Sequence, residues 1–198
     1  TMNIIIKYAD EEWDFSEISQ NHNLTFDFVI KYSDKEWDWA EISENPGIKM
    51  EDIEYNPQYP WRWDCVSRNP NLTIEMIQKN PTENWKWCCI SLNSNITWEV
   101  IKNNINLNWN WYNISQNTNI NLNIIEEYID DYPWDWHGIS KNPNITLNFM
   151  RKYLHKYDWG KIIDHLYFCN IPMIEYAQKN PDKPFLKYDT RLPDLVGG

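Results

Sequence analysis

Glycine is scarce in this 198-residue chain, five residues in all, and none sits in a phosphate-cradling loop pattern. The four cysteines, Cys65, Cys88, Cys89 and Cys169, form no CxxC pair, so neither a zinc ribbon nor a disulfide framework is predicted, and reduced thiols in a cytoplasmic setting are expected. His22, His137, His155 and His165 lie far apart without an acid or cysteine at metal-ligand spacing. No apolar run is long enough for a membrane span or a signal-peptide core. Basic residues are also few, 18 against 29 acids, for a net charge of -11. That field repels phosphates and argues against nucleic acid. The acids make no two-carboxylate pattern beyond what the repeat explains, so the reading carries no catalytic residue, no metal and no cofactor.

What the chain has instead is aromatic residues in register: 13 Trp, 12 Tyr and 6 Phe. A Trp pair followed by a branched aliphatic and a serine recurs every 24 residues or nearly so. The copies are Trp13-Phe15-Ile18-Ser19, Trp37-Trp39-Ile42-Ser43, Trp61-Trp63-Val66-Ser67, Trp85-Trp87-Ile90-Ser91, Trp109-Trp111-Ile114-Ser115 and Trp134-Trp136-Ile139-Ser140, with a worn Tyr157-Trp159-Ile162-Ile163. Self-similarity at this spacing predicts stacked repeats.

Capping chemistry divides each repeat into two short helices. Asp14, Asp38, Asn110, Asp135 and Asp158 are N-caps of the first; in repeat two, Glu41 stands where it would close a capping box on Asp38, and Trp37 where it would staple onto Ile42. Arg62 and Lys86 break the cap column, which predicts weaker starts there. The first helix stops before Asn45-Pro46, Asn69-Pro70 and Asn142-Pro143, because a residue preceding proline is pushed out of the helical region. Thr25, Thr73, Thr97, Asn121, Thr146 and Asn170 cap the second helix, with Leu24, Leu72, Ile96, Ile120 and Ile145 as its staples. Gly47-Ile48-Lys49 replaces the cap in repeat two, so that helix is expected to fray first.

Helices of about two turns are unstable alone, so stability must come from stacking repeat on repeat. Trp13, Trp37, Trp39, Trp61, Trp63, Trp85, Trp87, Trp109, Trp111, Trp134, Trp136 and Trp159 are the expected structural core. The serine column reads as small residues allowing close helix approach, each hydroxyl bonded to the preceding turn; a nucleophile would not be needed six times. Four of five glycosylation sequons, beginning at Asn23, Asn71, Asn95 and Asn144, coincide with the cap column, the fifth starts at Asn113, and all are read as structural.

These signals predict an all-α chain: an α-solenoid of about seven two-helix repeats, some helices 3₁₀, forming an elongated superhelix on the order of 60 Å long. The repeat domain spans 1–180. Thr1-Met2-Asn3-Ile4-Ile5-Ile6-Lys7-Tyr8 aligns with Thr25 to Tyr32 as the second helix of a partial first repeat, 1–12. Pro181, Pro184 and Pro193 mark 181–198 as a C-terminal cap and tail.

Charge is the functional clue. Residues 1 to 60 hold 14 acids and 4 lysines, whereas 61 to 120 hold 4 acids and 5 bases. Glu17 and Glu41 share a column, Glu44 lies one turn on, and Asp52 and Glu54 sit on the next helix; a continuous negative strip is predicted, fit for a partner with a basic surface. The other reading is a Trp-lined module for single-stranded nucleic acid or glycan, which requires exposed rings.

Asn69-Pro70-Asn71-Leu72-Thr73-Ile74-Glu75-Met76-Ile77 and its equivalents resemble the variant leucine-rich repeats, in which an Asn-Pro turn leads into a short helix. The resemblance implies a right-handed superhelix of alternating α and often 3₁₀ helices. The Trp-x-Trp-x-x-Ile-Ser-x-Asn-Pro-Asn-Ile-Thr form resembles the repeat proteins of amoeba-infecting giant viruses, which implies a host-cytoplasm or virion location and no transferable active site. The expectation is a non-enzymatic scaffold for protein–protein interaction, its oligomeric state open.

Overall fold

The computed structural model describes residues 13–153 and Lys156. Trp159, Cys169, Asn170, His155, His165, the partial repeat 1–12 and the tail 181–198 lie outside the described residues. Every regular element among those described is a short helix, twelve in all, and the chain divides into two compact units, Thr1–Asn110 and Trp111–Gly198. The first contains α1 (Phe15–Ile18), α2 (Phe26–Lys31), α3 (Trp39–Glu44), α4 (Met50–Tyr55), α5 (Trp63–Val66), α6 (Ile74–Lys79), α7 (Trp87–Leu92) and α8 (Trp98–Asn103). The second contains α9 (Trp111–Gln116), α10 (Leu122–Glu127), α11 (Trp136–Ser140) and α12 (Leu147–Lys152).

Helices begin where capping chemistry puts them. Asp14 and Asp38 each accept two first-turn N–H groups, and Thr73, Thr97, Asn121, Asp135 and Thr146 each accept one. Thr25 precedes α2 without a side-chain cap bond. Arg62 and Lys86 cap nothing through their side chains, yet α7 is as long as α3. Helix length therefore does not follow the cap: α1, properly capped by Asp14, is as short as α5. Both continue into tight turns, Asn21 N–H donating to Ile18 O and Asn69 N–H to Val66 O.

Two expectations are corrected. Asp38 N–H does not meet Glu41; it donates to Ser19 Oγ of the preceding repeat at 3.1 Å, so the reciprocal half of the box has no donor left. The second helix of repeat two is also fully formed, because Asp52 at its third position accepts the Lys49 N–H at 2.8 Å. Gly47 supports that turn by having no side chain, since a Cβ there would lie 1.8 Å from the backbone oxygen of Leu24. Gly47→Ala is expected to cost about 1–2 kcal/mol through the backbone shift it forces, read as a lower denaturant midpoint at unchanged slope.

The core consists of aliphatic columns. Ile42, Val66 and Ile90 on the first helices, Leu24, Ile48, Leu72 and Ile96 before the second, and Val29, Ile53, Ile77 and Ile101 on the second are all buried in unit one. Ile114, Ile120, Ile125 and Ile139 continue the pattern in unit two. Each such side chain contributes roughly 1.5–3 kcal/mol, which two-turn helices need.

Polar columns then fix the register of one repeat on the next. Ser19, Ser43 and Ser67 donate to the carbonyls of Phe15, Trp39 and Trp63, and the same hydroxyls accept the N–H of Asp38, Arg62 and Lys86. Ser91 accepts from Asn110 N–H, and in unit two Ser115 accepts from Asp135 N–H at 3.0 Å. The backward bond is the one read from the sequence, whereas the bond to the next repeat was not. A buried asparagine column adds to it: Asn69 Nδ2 donates to the carbonyls of Ser43, Asn45 and Ile48 at 3.1–3.2 Å, and Asn142 Nδ2 to those of Ser115, Asn117 and Ile120. Their Oδ1 atoms accept from the N–H two residues on. Three of the sequon asparagines are likewise engaged, Asn71, Asn95 and Asn144 donating to the carbonyls of Pro46, Pro70 and Thr118.

Candidate interaction surface

From the third repeat on, the two tryptophans of each pair occupy different environments. Trp61, Trp85, Trp109 and Trp134 are buried at 7–9% exposure, while Trp13, Trp37, Trp39, Trp63, Trp87, Trp111 and Trp136 are half-buried. The first ring of the pair also has its polar atom satisfied: Nε1 of Trp37, Trp61, Trp85 and Trp109 donates to a carbonyl five residues back, and that of Trp134 to Tyr128 O. The second ring meets the first ring of the next repeat edge-on, as in Trp39–Trp61 at 5.2 Å and 89°, Trp87–Trp109 at 5.2 Å and 85°, and Trp111–Trp134 at 5.4 Å and 88°. One face of Trp39 is stacked by Tyr59 and one of Trp111 by Tyr132. A base or sugar approaching those faces would meet another aromatic ring.

The five acids expected to form one strip are not equivalent. Glu17 is exposed and Glu41 half-buried, and neither makes an ion pair among the described residues. Glu44 is paired with Arg68 of the next repeat and Glu54 with Lys79; the hydrogen bond that Lys79 donates to Glu54 also holds the ammonium above the usual lysine range. Asp52 is turned toward its own helix start. The strip is thus interrupted, because two of its charges are compensated within the chain and a third caps a helix.

The structure instead gathers a different set of acids around a broad groove in unit one. Trp13, Trp37 and Trp39 line it together with Asp14, Asp34, Glu36 and Asp38, and it has a volume of about 1300 Å³. Asp14 and Asp38 are fixed there as helix caps, whereas Asp34 and Glu36 stand exposed in the turn leading into Trp37. The cations at the rim are partly engaged: Lys35 lies 3.5 Å from Asp34 and 5.8 Å from the Phe15 ring centroid, and Arg62 pairs with Asp64, whose carboxyl that bond holds below its usual range. Lys35 over Phe15 shows the groove wall accepting a cation on an aromatic face. Asp34 and Glu36 flank the repeat motif and so do not stand out in the sequence; their placement on either side of Lys35, immediately ahead of Trp37, is the available signal.

Among the described residues no group of three His, Cys, Asp or Glu side chains is arranged to hold a metal ion, and no helix is long and apolar enough to cross a membrane. No protein family, curated protein or solved structure matches the chain.

Proposed function

We propose that this chain is a non-enzymatic repeat scaffold that binds a protein partner through a basic segment, in the groove of its N-terminal repeats. The observation that supports this most directly is the convergence of Asp14, Asp34, Glu36 and Asp38 on an aromatic-walled groove, since carboxylates steer Lys and Arg and ring faces receive them. The finer architecture belongs to the same proposal: a solenoid of the variant leucine-rich kind, right-handed, working in a cytoplasmic or virion setting. The serine and asparagine bonds from repeat to repeat support the stacked-repeat part of that reading, because the junctions within a unit are built alike.

The test is binding of a labelled Lys/Arg-rich peptide to the whole chain by fluorescence anisotropy. Reversing Asp34 and Glu36 to Lys is expected to weaken capture about tenfold at low salt and to flatten its salt dependence, with the loss mainly in the on-rate. Glu44→Lys is a poor probe because it also breaks the Arg68 pair, and Glu17 adjoins the groove through Asp14, so Glu51→Lys, exposed on α4 and outside the groove lining, serves as the control. Equal affinity of the double reversal and the wild type would remove the groove as the site. Tight binding of an oligonucleotide at about 0.15 M salt would favour the Trp-lined module instead.

A further inference from the structure

One cluster of reactive side chains plays no part in the groove. Cys88 and Cys89 are consecutive in the first turn of α7, Cys88 exposed and Cys89 half-buried. Their sulfurs lie 3.9 Å apart, so two thiols converge although their Cα–Cβ bonds start about 100° apart around a helix of 3.6 residues per turn. A small cleft of about 400 Å³ opens beside Cys89, lined also by Arg68, Pro70 and Leu92. Leu92 is 47% exposed, an apolar side chain left about half open to solvent.

A direct disulfide does not suit this pair. Consecutive Cα atoms are about 3.8 Å apart, short of the roughly 4.4–6.8 Å that a disulfide spans. Burial also pushes the Cys89 thiol up, the hydrogen bond with Cys88 adding to the effect, which starves thiolate-driven exchange. A bridging atom between the sulfurs removes the distance obstacle, since each sulfur then bonds the bridge and not its neighbour.

We propose that Cys88 and Cys89 form a dithiol site for a monosubstituted trivalent arsenical, whose carbon substituent lies against Pro70 and Leu92 in the adjoining cleft. Two S–As bonds form, the arsenic–oxygen bonds of the arsenoxide break, and the two thiol hydrogens leave with that oxygen as water. Arsenic stays trivalent, so no oxidant or reductant enters. Closure of the second bond is intramolecular, and its high effective concentration makes the pair far tighter than either thiol alone.

The test uses the full chain and phenylarsine oxide. Intact-mass measurement is expected to show one phenylarsenic unit gained and two hydrogens lost per chain, stable to excess glutathione and removed by dithiothreitol. Cys88→Ser and Cys89→Ser should each lower the affinity at least about a hundredfold, with far-ultraviolet circular dichroism unchanged, while Cys65→Ser and Cys169→Ser leave it intact. Leu92→Ser should weaken the phenyl compound and spare its methyl counterpart. Wild-type affinity in Cys88→Ser or Cys89→Ser, or a requirement for Cys65, overturns the dithiol site; equal loss of phenyl and methyl compounds in Leu92→Ser overturns the assignment of the cleft.

Discussion

Trp85→Ala is expected to destabilise the chain by about 3–5 kcal/mol, the range for deleting a large buried ring, whereas Trp63→Ala should cost only about 2 kcal/mol. The two rings touch, at 5.0 Å and 69°, so they share one interaction and differ in burial. Trp85 is 9% exposed and donates Nε1 to Asn80 O at 2.7 Å; Trp63 is half-buried. Chemical denaturation of both variants measures the difference, and the double variant measures their coupling. Equal losses would mean that the second ring of the pair carries as much of the core as the first.

Asn69→Ala should cost about 3 kcal/mol, close to the loss of a buried ring although far fewer atoms are removed. The Asn69 amide is fully buried, donates to three carbonyls of the preceding repeat and accepts from Asn71 N–H. Deleting it takes the partner from the Asn71 N–H and the amide donor from Ser43 O, while Asn45 O keeps the Ile48 N–H and Ile48 O the Asn71 amide; each group left without a partner costs about 1–3 kcal/mol before any local relaxation. Asn69→Asp is the sharper variant: it keeps the acceptor and the size but replaces the donor amide with a buried charge facing carbonyl oxygens. It should be at least as damaging as alanine. Thermal unfolding of the two variants checks the order, and an aspartate variant as stable as the wild type would show that the donor is dispensable.

The parts of the fold legible in the sequence were those set by local chemistry. Asp14, Asp38, Thr73 and Thr97 begin helices because a side-chain oxygen two or three residues from an N–H needs no tertiary context. Interactions one repeat apart were harder to see. Asn45 and Asn69 read as helix stops before proline, and nothing local tells that their amides reach the carbonyls of the previous repeat. Burial within the Trp pair was not legible either, because both positions carry the same residue. The site shows the same division. Glu44 and Arg68 stand in one column of adjacent repeats, a pairing that the alignment already contained, but it was read along one repeat and not across two. Of the groove acids, Asp14 and Asp38 were visible as helix caps, but Asp34 and Glu36 lay between motifs, where a repeat-based reading looks least.

The indole bonds also explain how the array takes a change of length. Trp37, Trp61, Trp85 and Trp109 each reach back five residues, but Trp134 reaches back six, to Tyr128, and the bond from Asp135 to Ser115 spans 20 residues where its counterparts span 19. The extra residue has been absorbed between Tyr128 and Trp134, and the anchors on either side keep their partners. That turn is therefore the hinge point of the repeat's grammar: additions there leave every contact in place, whereas one added residue between Trp134 and Ser140 would rotate the serine off its helix face and cut the chain of bonds. Variation in such an array should collect in the turn before each tryptophan pair, and grafted peptides should be carried there with least harm.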